Sequence, residues 1–277
     1  MFKLFKNAFR LTNEGILLAI PLILFLWLMT IYLTFAGSVV DTLPEALSAL
    51  VTLLCMVGAF FAGWFYIVKK TLKIAKTEYV MDEDRAKALL SLMKQIPAGI
   101  GKYFVTFLGM SLFALLIFAL YGALVYKFGL HFIGSIDFTP AQIKGAMASP
   151  QDMKAFLDSL TPEQIYALGS WNLLFMAATS LLSFLLMLWI PEIIYQTQNP
   201  VIALFKSLKK LFVKFPKALL LFVYITFLNI VISFANTFAV LHPIIYMILM
   251  TIYFYFLVYV VVLIFYYYDT EFNDVEE

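Results

Sequence analysis

A chain of 277 residues with 64% hydrophobic side chains, 13% charged ones and a mean hydropathy of +0.94 lies far from soluble composition, in which about a quarter of residues are charged. The formal net charge of +2 gives no ground for nucleic-acid binding, and the lone Cys55 excludes an intrachain disulfide or a cysteine-built metal site. The expected class is an all-α integral membrane protein with six transmembrane helices.

The chain begins with a short cationic stretch, FKLFKNAFR, carrying Lys3, Lys6 and Arg10. It leads into the first of six apolar runs, at about 15–36, 46–68, 103–126, 171–195, 218–240 and 244–267, each near the ~20 residues that cross a bilayer. The first run is too long, and lacks the small-residue cleavage site, for a removable signal peptide, so it is expected to stay as a span. Span two carries Gly58, Ala59, Ala62 and Gly63, a small-residue spacing that lets helices approach closely. A basic segment, residues 69–102, follows and contains LLSLMK from Leu89.

After span three, residues 131–169 form a polar insert punctuated by TPAQ at Thr139, SPQD at Ser149 and TPEQ at Thr161. Each places a capping hydroxyl, a proline at the first helical position and a side chain able to reach back, so three short helices are expected. Trp171 is expected at the membrane interface. Span four carries Asn172, Thr179 and Ser183 at helical spacing and ends in WIPEIIYQ, where Pro191 removes a helix hydrogen bond beside Glu192. Glu192 reads either as a carboxylate at a cavity mouth or as an interfacial group paired with a lysine such as Lys206.

The next stretch, NPVIALFKSLKKLFVKF, is a basic amphipathic helix. Val201, Leu204, Phe205, Leu208, Leu211, Phe212 and Phe215 make the apolar side, and Lys206, Lys209, Lys210 and Lys217 the other. Asn199 caps it, and Pro216 separates it from span five. Span five holds a polar stripe, Thr226, Asn229, Ser233 and Asn236, which together with Asn172, Thr179 and Ser183 reads either as interhelical glue or as the lining of a cavity. The tyrosines of span six end in FYYYD, an expected aromatic belt, and the acidic tail 269–277 is expected to be mobile. His131 and His242 lack acidic neighbours at metal-binding spacing, and no nucleotide or nucleophile-elbow motif occurs. No catalytic residue, metal or cofactor is expected.

FKNAFR, LLSLMK and FKSLKK align, each ahead of a spanning run, so the expected architecture is three units of an amphipathic helix and a pair of spans. All but Lys127, Lys144 and Lys154 of the 19 Lys and Arg fall on one side of the six spans, which predicts cytoplasmic N- and C-termini. Lys3, Lys6, Arg10, Lys206, Lys209 and Lys210 are the expected contacts to anionic lipid.

The segments KNAFRLTNEGILLAIPLIL and PEIIYQTQNPVIALFKSLKKLF resemble a loose group of small, six-span bacterial membrane proteins. That group is similar to the membrane domain of some bacterial glycerophosphodiester phosphodiesterases. The resemblance implies a bundle in the bacterial inner membrane with a role in lipids or transport; the phosphodiesterase barrel has no counterpart here. The primary expectation is a non-enzymatic protein that binds, organises or moves a lipid or other amphiphile. The alternatives are a small-solute permease or permease subunit using spans four and five, and a structural or interaction subunit of a membrane complex. Membrane lipids are the expected partners, with a membrane-protein partner reached through the insert or helix faces.

Overall fold

Helix ends in this chain fall where the sequence supplies caps and prolines. The structure, a computed structural model, describes residues 1–76, 82–135, 145, 149–238 and 242–273. These form α1 (Phe2–Glu14), a 3-10 turn (Ile16–Leu18), α2 (Ala19–Val39), α3 (Leu43–Lys76), α4 (Asp82–Met93), α5 (Ile96–Phe132), α6 (Pro150–Asp158), α7 (Pro162–Leu186), α8 (Trp189–Tyr195), α9 (Pro200–Val213), α10 (Phe215–Asn236), α11 (Pro243–Tyr268) and a π-helical turn (Asp269–Asn273). No strand occurs among the described residues. Among the described residues, six stretches are long and apolar enough to cross a membrane: Ile16–Val39, Leu43–Ala75, Ile96–Phe132, Pro162–Tyr195, Phe215–Asn236 and Pro243–Asn273. Several outrun the predicted runs because helix geometry continues past the apolar stretch into the polar flanks.

Asn199 caps α9 through Oδ1, which accepts from the backbone N–H of Val201 (3.0 Å) and Ile202 (3.1 Å). Pro216 sits in the first turn of α10, where its missing N–H costs nothing. Span four is divided in two, with α7 ending at Leu186 and α8 starting at Trp189. Pro191 cannot donate to the Met187 carbonyl, so a continuous helix would lose a bond there.

By compactness the chain divides into two units, Met1–Phe113 with Leu185–Glu277, and Ala114–Phe184. In the first, α11 is the centre and touches α1, α2, α3, α8 and α10. Its second half buries Phe256, Val258, Tyr259, Val262, Leu263, Phe265, Tyr267 and Tyr268. An aromatic stack continues from it through Phe65, 5.6 Å from Phe265, to Phe107, 5.7 Å from Phe65. Phe25 lies flat on Phe60 at 3.9 Å, and the Trp64 indole donates to the Leu18 carbonyl at 2.9 Å, joining α3 to the start of α2. The opposite halves are different: Leu24, Trp27, Leu28, Leu33 and Phe35 of α2, Leu43, Leu47 and Val51 of α3, and Ile244, Met247 and Ile248 of α11 are exposed. Apolar side chains facing outward are what a bilayer solvates.

The small residues of span two meet α5. A Cβ on Gly63 would lie 2.7 Å from Ile96 Cγ2, and one on Gly99 would lie 2.7 Å from Tyr66 Cβ and 3.0 Å from both the Ala62 oxygen and Gly63 Cα. The two backbones are therefore in contact at glycine.

In the second unit, Ser149 Oγ accepts from the Asp152 N–H at 3.1 Å and donates to Asp152 Oδ2 at 2.7 Å, starting α6. Thr161 and Gln164 form a reciprocal capping box at the start of α7. The helix expected at Thr139 lies outside the described residues. Trp171, expected at the membrane interface, is 5% exposed. Its ring fills the space that a side chain at Gly129 would take, and its Nε1 donates to the Gly134 carbonyl at 3.1 Å. A ring that finds a glycine opposite gains more from packing than from the interface.

Candidate functional site

Glu192 has no exposed surface. The short helix α8 carries it inward, and two neighbours meet its Oε2: Lys210 Nζ of α9 at 3.0 Å and the Tyr268 hydroxyl at the end of α11, which donates at 2.6 Å. Lys210 also donates to the Tyr268 hydroxyl at 2.6 Å and sits 4.7 Å from the ring centroid. Tyr195 stacks on Tyr268, and the Lys69 ammonium lies 4.5 Å from the Tyr195 ring while donating to the Ile194 carbonyl at 3.0 Å. The Tyr103 hydroxyl donates to that same carbonyl at 3.2 Å. Glu192 Oε1 and the Tyr267 hydroxyl are buried with no hydrogen-bond partner among the described residues. A carboxylate taken out of water needs a charge partner, and Lys210 provides it while joining α8, α9 and α11.

This placement corrects several expectations. Glu192 does pair with a lysine, but it is Lys210 and not the Lys206 given as the example, and Lys210, expected at anionic lipid, turns its ammonium to the carboxylate. The FYYYD run is core and not an interfacial belt, since Phe265, Tyr267 and Tyr268 are buried. The tail is ordered as far as Asn273: Glu271 is held by Lys217 at 2.6 Å and Lys214 at 3.4 Å, and Asn273 donates to Asp269 at 3.0 Å. Residues 274–277 lie outside the described residues.

Lys3, Lys6 and Arg10 of α1, and Lys206 and Lys209 of α9, are exposed. The two helices share a three-sided build. Helix α1 buries Ala8, Leu11 and Thr12, and packs lengthwise on α11 through Asn7 to Tyr266 (3.2 Å), Phe9 against Tyr255 and Tyr259, and Asn13 to Tyr255 (2.6 Å). Helix α9 buries Ala203, Leu204, Ser207 and Leu211. Neither buries its full apolar side: Phe2 and Phe9 are 81% and 52% exposed, and Phe205 and Phe212 are 66% and 59% exposed. These rings stand next to the lysine rows.

The polar stripe of span five lies on α10, where Thr226 is half-buried and Asn229, Ser233 and Asn236 are exposed. No hydrogen bond from these four side chains is found among the described residues. At ~100° per residue, Asn229 and Asn236 fall within about 20° of the line through buried Ala218. The stripe thus continues the buried side of α10 into the half where the first unit leaves its helices unpacked. Asn172, Thr179 and Ser183 belong to the second unit and are exposed. Among the described residues, no side-chain hydrogen bond is found from Asn172, Thr179 or Ser183 either. His242 caps α11, its Nδ1 accepting from the Ile244 N–H at 3.1 Å.

Sequence reasoning found Glu192 but missed Tyr268 and the role of Lys210. A basic residue on the bundle side of α9 was the available signal, since Lys210 falls beside Ala203, Ser207 and Leu211 on the helix wheel. Comparison with family models, with curated proteins and with solved structures finds no match to this chain.

Proposed function

We propose that this is a non-enzymatic protein of the bacterial inner membrane that binds, organises or moves a lipid. In this reading it is built from three units, each an amphipathic helix (α1, α4, α9) ahead of a pair of spans, with 131–169 as an extracytoplasmic insert and both termini in the cytoplasm. The observation that carries the lipid reading is the exposure of phenylalanine beside lysine on α1 and α9. In water such rings are a liability; at a bilayer surface they enter the acyl region while the cations meet phosphate. The Glu192–Lys210 pair supports the same reading indirectly, because it anchors α9 so that its outer faces are presented in a fixed orientation.

Lys206→Gln with Lys209→Gln, leaving Lys210 in place, is expected to weaken retention of phosphatidylglycerol by about fivefold per lysine, the weight of ~1 kcal/mol each. The loss should be larger at low than at high ionic strength. Native mass spectrometry of the retained lipid measures it, and an unchanged lipid complement at low salt would remove the basis for the proposal.

Orientation is tested separately. Cysteines placed at Ser149 and Asn273 should react from opposite sides of the membrane when a membrane-impermeant reagent is added to intact cells, Ser149→Cys reacting and Asn273→Cys not. Reaction at both positions would reject the arrangement of termini and insert.

A further inference from the structure

A cavity of about 320 Å³ lies between the start of span one and the middle of α11, walled by Ile16, Ile20, Ile23, Thr251, Phe254 and Tyr255. Ile16, Ile20 and Ile23 are 45%, 51% and 41% exposed, so the groove is open along that edge. Its length from Ile16 to Ile23 is about 10 Å at 1.5 Å per residue. One end is closed by a polar pair, the Tyr255 hydroxyl donating to Asn13 Oδ1 at 2.6 Å. From that end the exposed side of α1 continues through Arg10 to Lys6, spaced as one helical face with Asn13. Among the described residues, Arg10 is paired at Nε with Glu14, 3.8 Å away.

We propose that this groove holds the headgroup-proximal part of one acyl chain of an anionic phospholipid, with the headgroup phosphate against Asn13, Arg10 and Lys6. The proposal rests on the lipid reading above and gives it a site. Water does not occupy an apolar groove in hydrocarbon, because it would find no hydrogen-bond partners along the isoleucine wall. A peptide strand would bring unpaired backbone groups to a surface that offers none in return. A hydrocarbon chain needs no partner, and the row Lys6, Arg10 and Asn13 supplies the charge complement for an anionic head at the correct end.

The test uses the full chain in nanodiscs of phosphatidylcholine and phosphatidylglycerol, with a trace of phosphatidylglycerol carrying a photoactivatable group in its acyl chain. Adducts are mapped by peptide mass spectrometry. They should concentrate at residues 16–23 and 251–255. Ile20→Trp, which fills the groove from an exposed position, should remove most of them while leaving adducts near Phe205 and Phe212 unchanged. Thr251→Phe, from the facing helix, repeats the test on a different fold background. Arg10→Gln should lower the preference for phosphatidylglycerol over phosphatidylcholine at the groove by about fivefold, the weight of one surface cation. Adducts confined to α9 would overturn the groove and leave the lipid reading standing. Adducts spread evenly over every exposed span, indifferent to all three variants, would overturn both.

Discussion

Lys210→Met is expected to destabilise the protein by about 3–5 kcal/mol, the cost of leaving a buried carboxylate without its charge partner. Glu192 is fully buried, and only its Oε2 is engaged, so Tyr268 alone would remain to hold the charge. The reverse variant, Glu192→Gln, should cost less, roughly 1–3 kcal/mol, because the Lys210 side chain is 24% exposed and its ammonium can turn to water. Combining both changes should recover most of the Lys210→Met loss, since replacing both members of a buried pair is often close to neutral. Thermal melts of the four proteins in one detergent close the cycle. If Lys210→Met and the double variant melt together, the pair contributes nothing and the account of α8, α9 and α11 is wrong.

The second large effect concerns glycine. Gly99→Ala should destabilise by about 1–3 kcal/mol, the range for forcing atoms into a filled site, because the new methyl would meet Ala62 and Gly63 backbone at 3.0 Å as well as Tyr66. Backbone cannot move aside as a flexible side chain can, so α3 and α5 would have to separate. Gly101→Ala, two residues away with nothing within 4 Å of its Cβ, should gain up to ~1 kcal/mol from helix propensity. The same chemical change is thus expected to act with opposite sign at two neighbouring positions. A shared sign would mean that the glycine contact between α3 and α5 is not tight.

The class of the molecule was legible because long apolar runs and lysine-rich flanks are properties of single segments. Caps were legible for the same reason: Asn199, Ser149 and Thr161 act on residues two or three positions away. Faces were harder. Helix α11 is apolar nearly all round, so periodicity does not say which side meets a neighbour. That Glu192 pairs with a lysine of the basic stretch was one of its two readings, but the example given, Lys206, lies one helical turn from the actual partner, Lys210, within a stretch where both residues have similar neighbours. The burial of Trp171 and of the FYYYD run was not legible because the features that cover them, Gly129 opposite the indole and Glu192 opposite Tyr268, lie far away in sequence. The span-five stripe shows the remaining gap: its side of the helix follows from spacing, but whether anything packs there is a tertiary fact.

The partnership of α1 with α11 also has a bearing on biosynthesis. Asn13 and Tyr255 are 242 positions apart, so α1 leaves the ribosome long before α11 and waits for it before its buried stripe is fully covered. At roughly 5–20 residues per second, that interval is on the order of 10–50 seconds. During it, the bilayer surface is the available shelter for Ala8, Leu11 and the neighbouring phenylalanines. A helix that waits in this way and then docks on protein suits an order of assembly in which α1 is locked only after α11 is made.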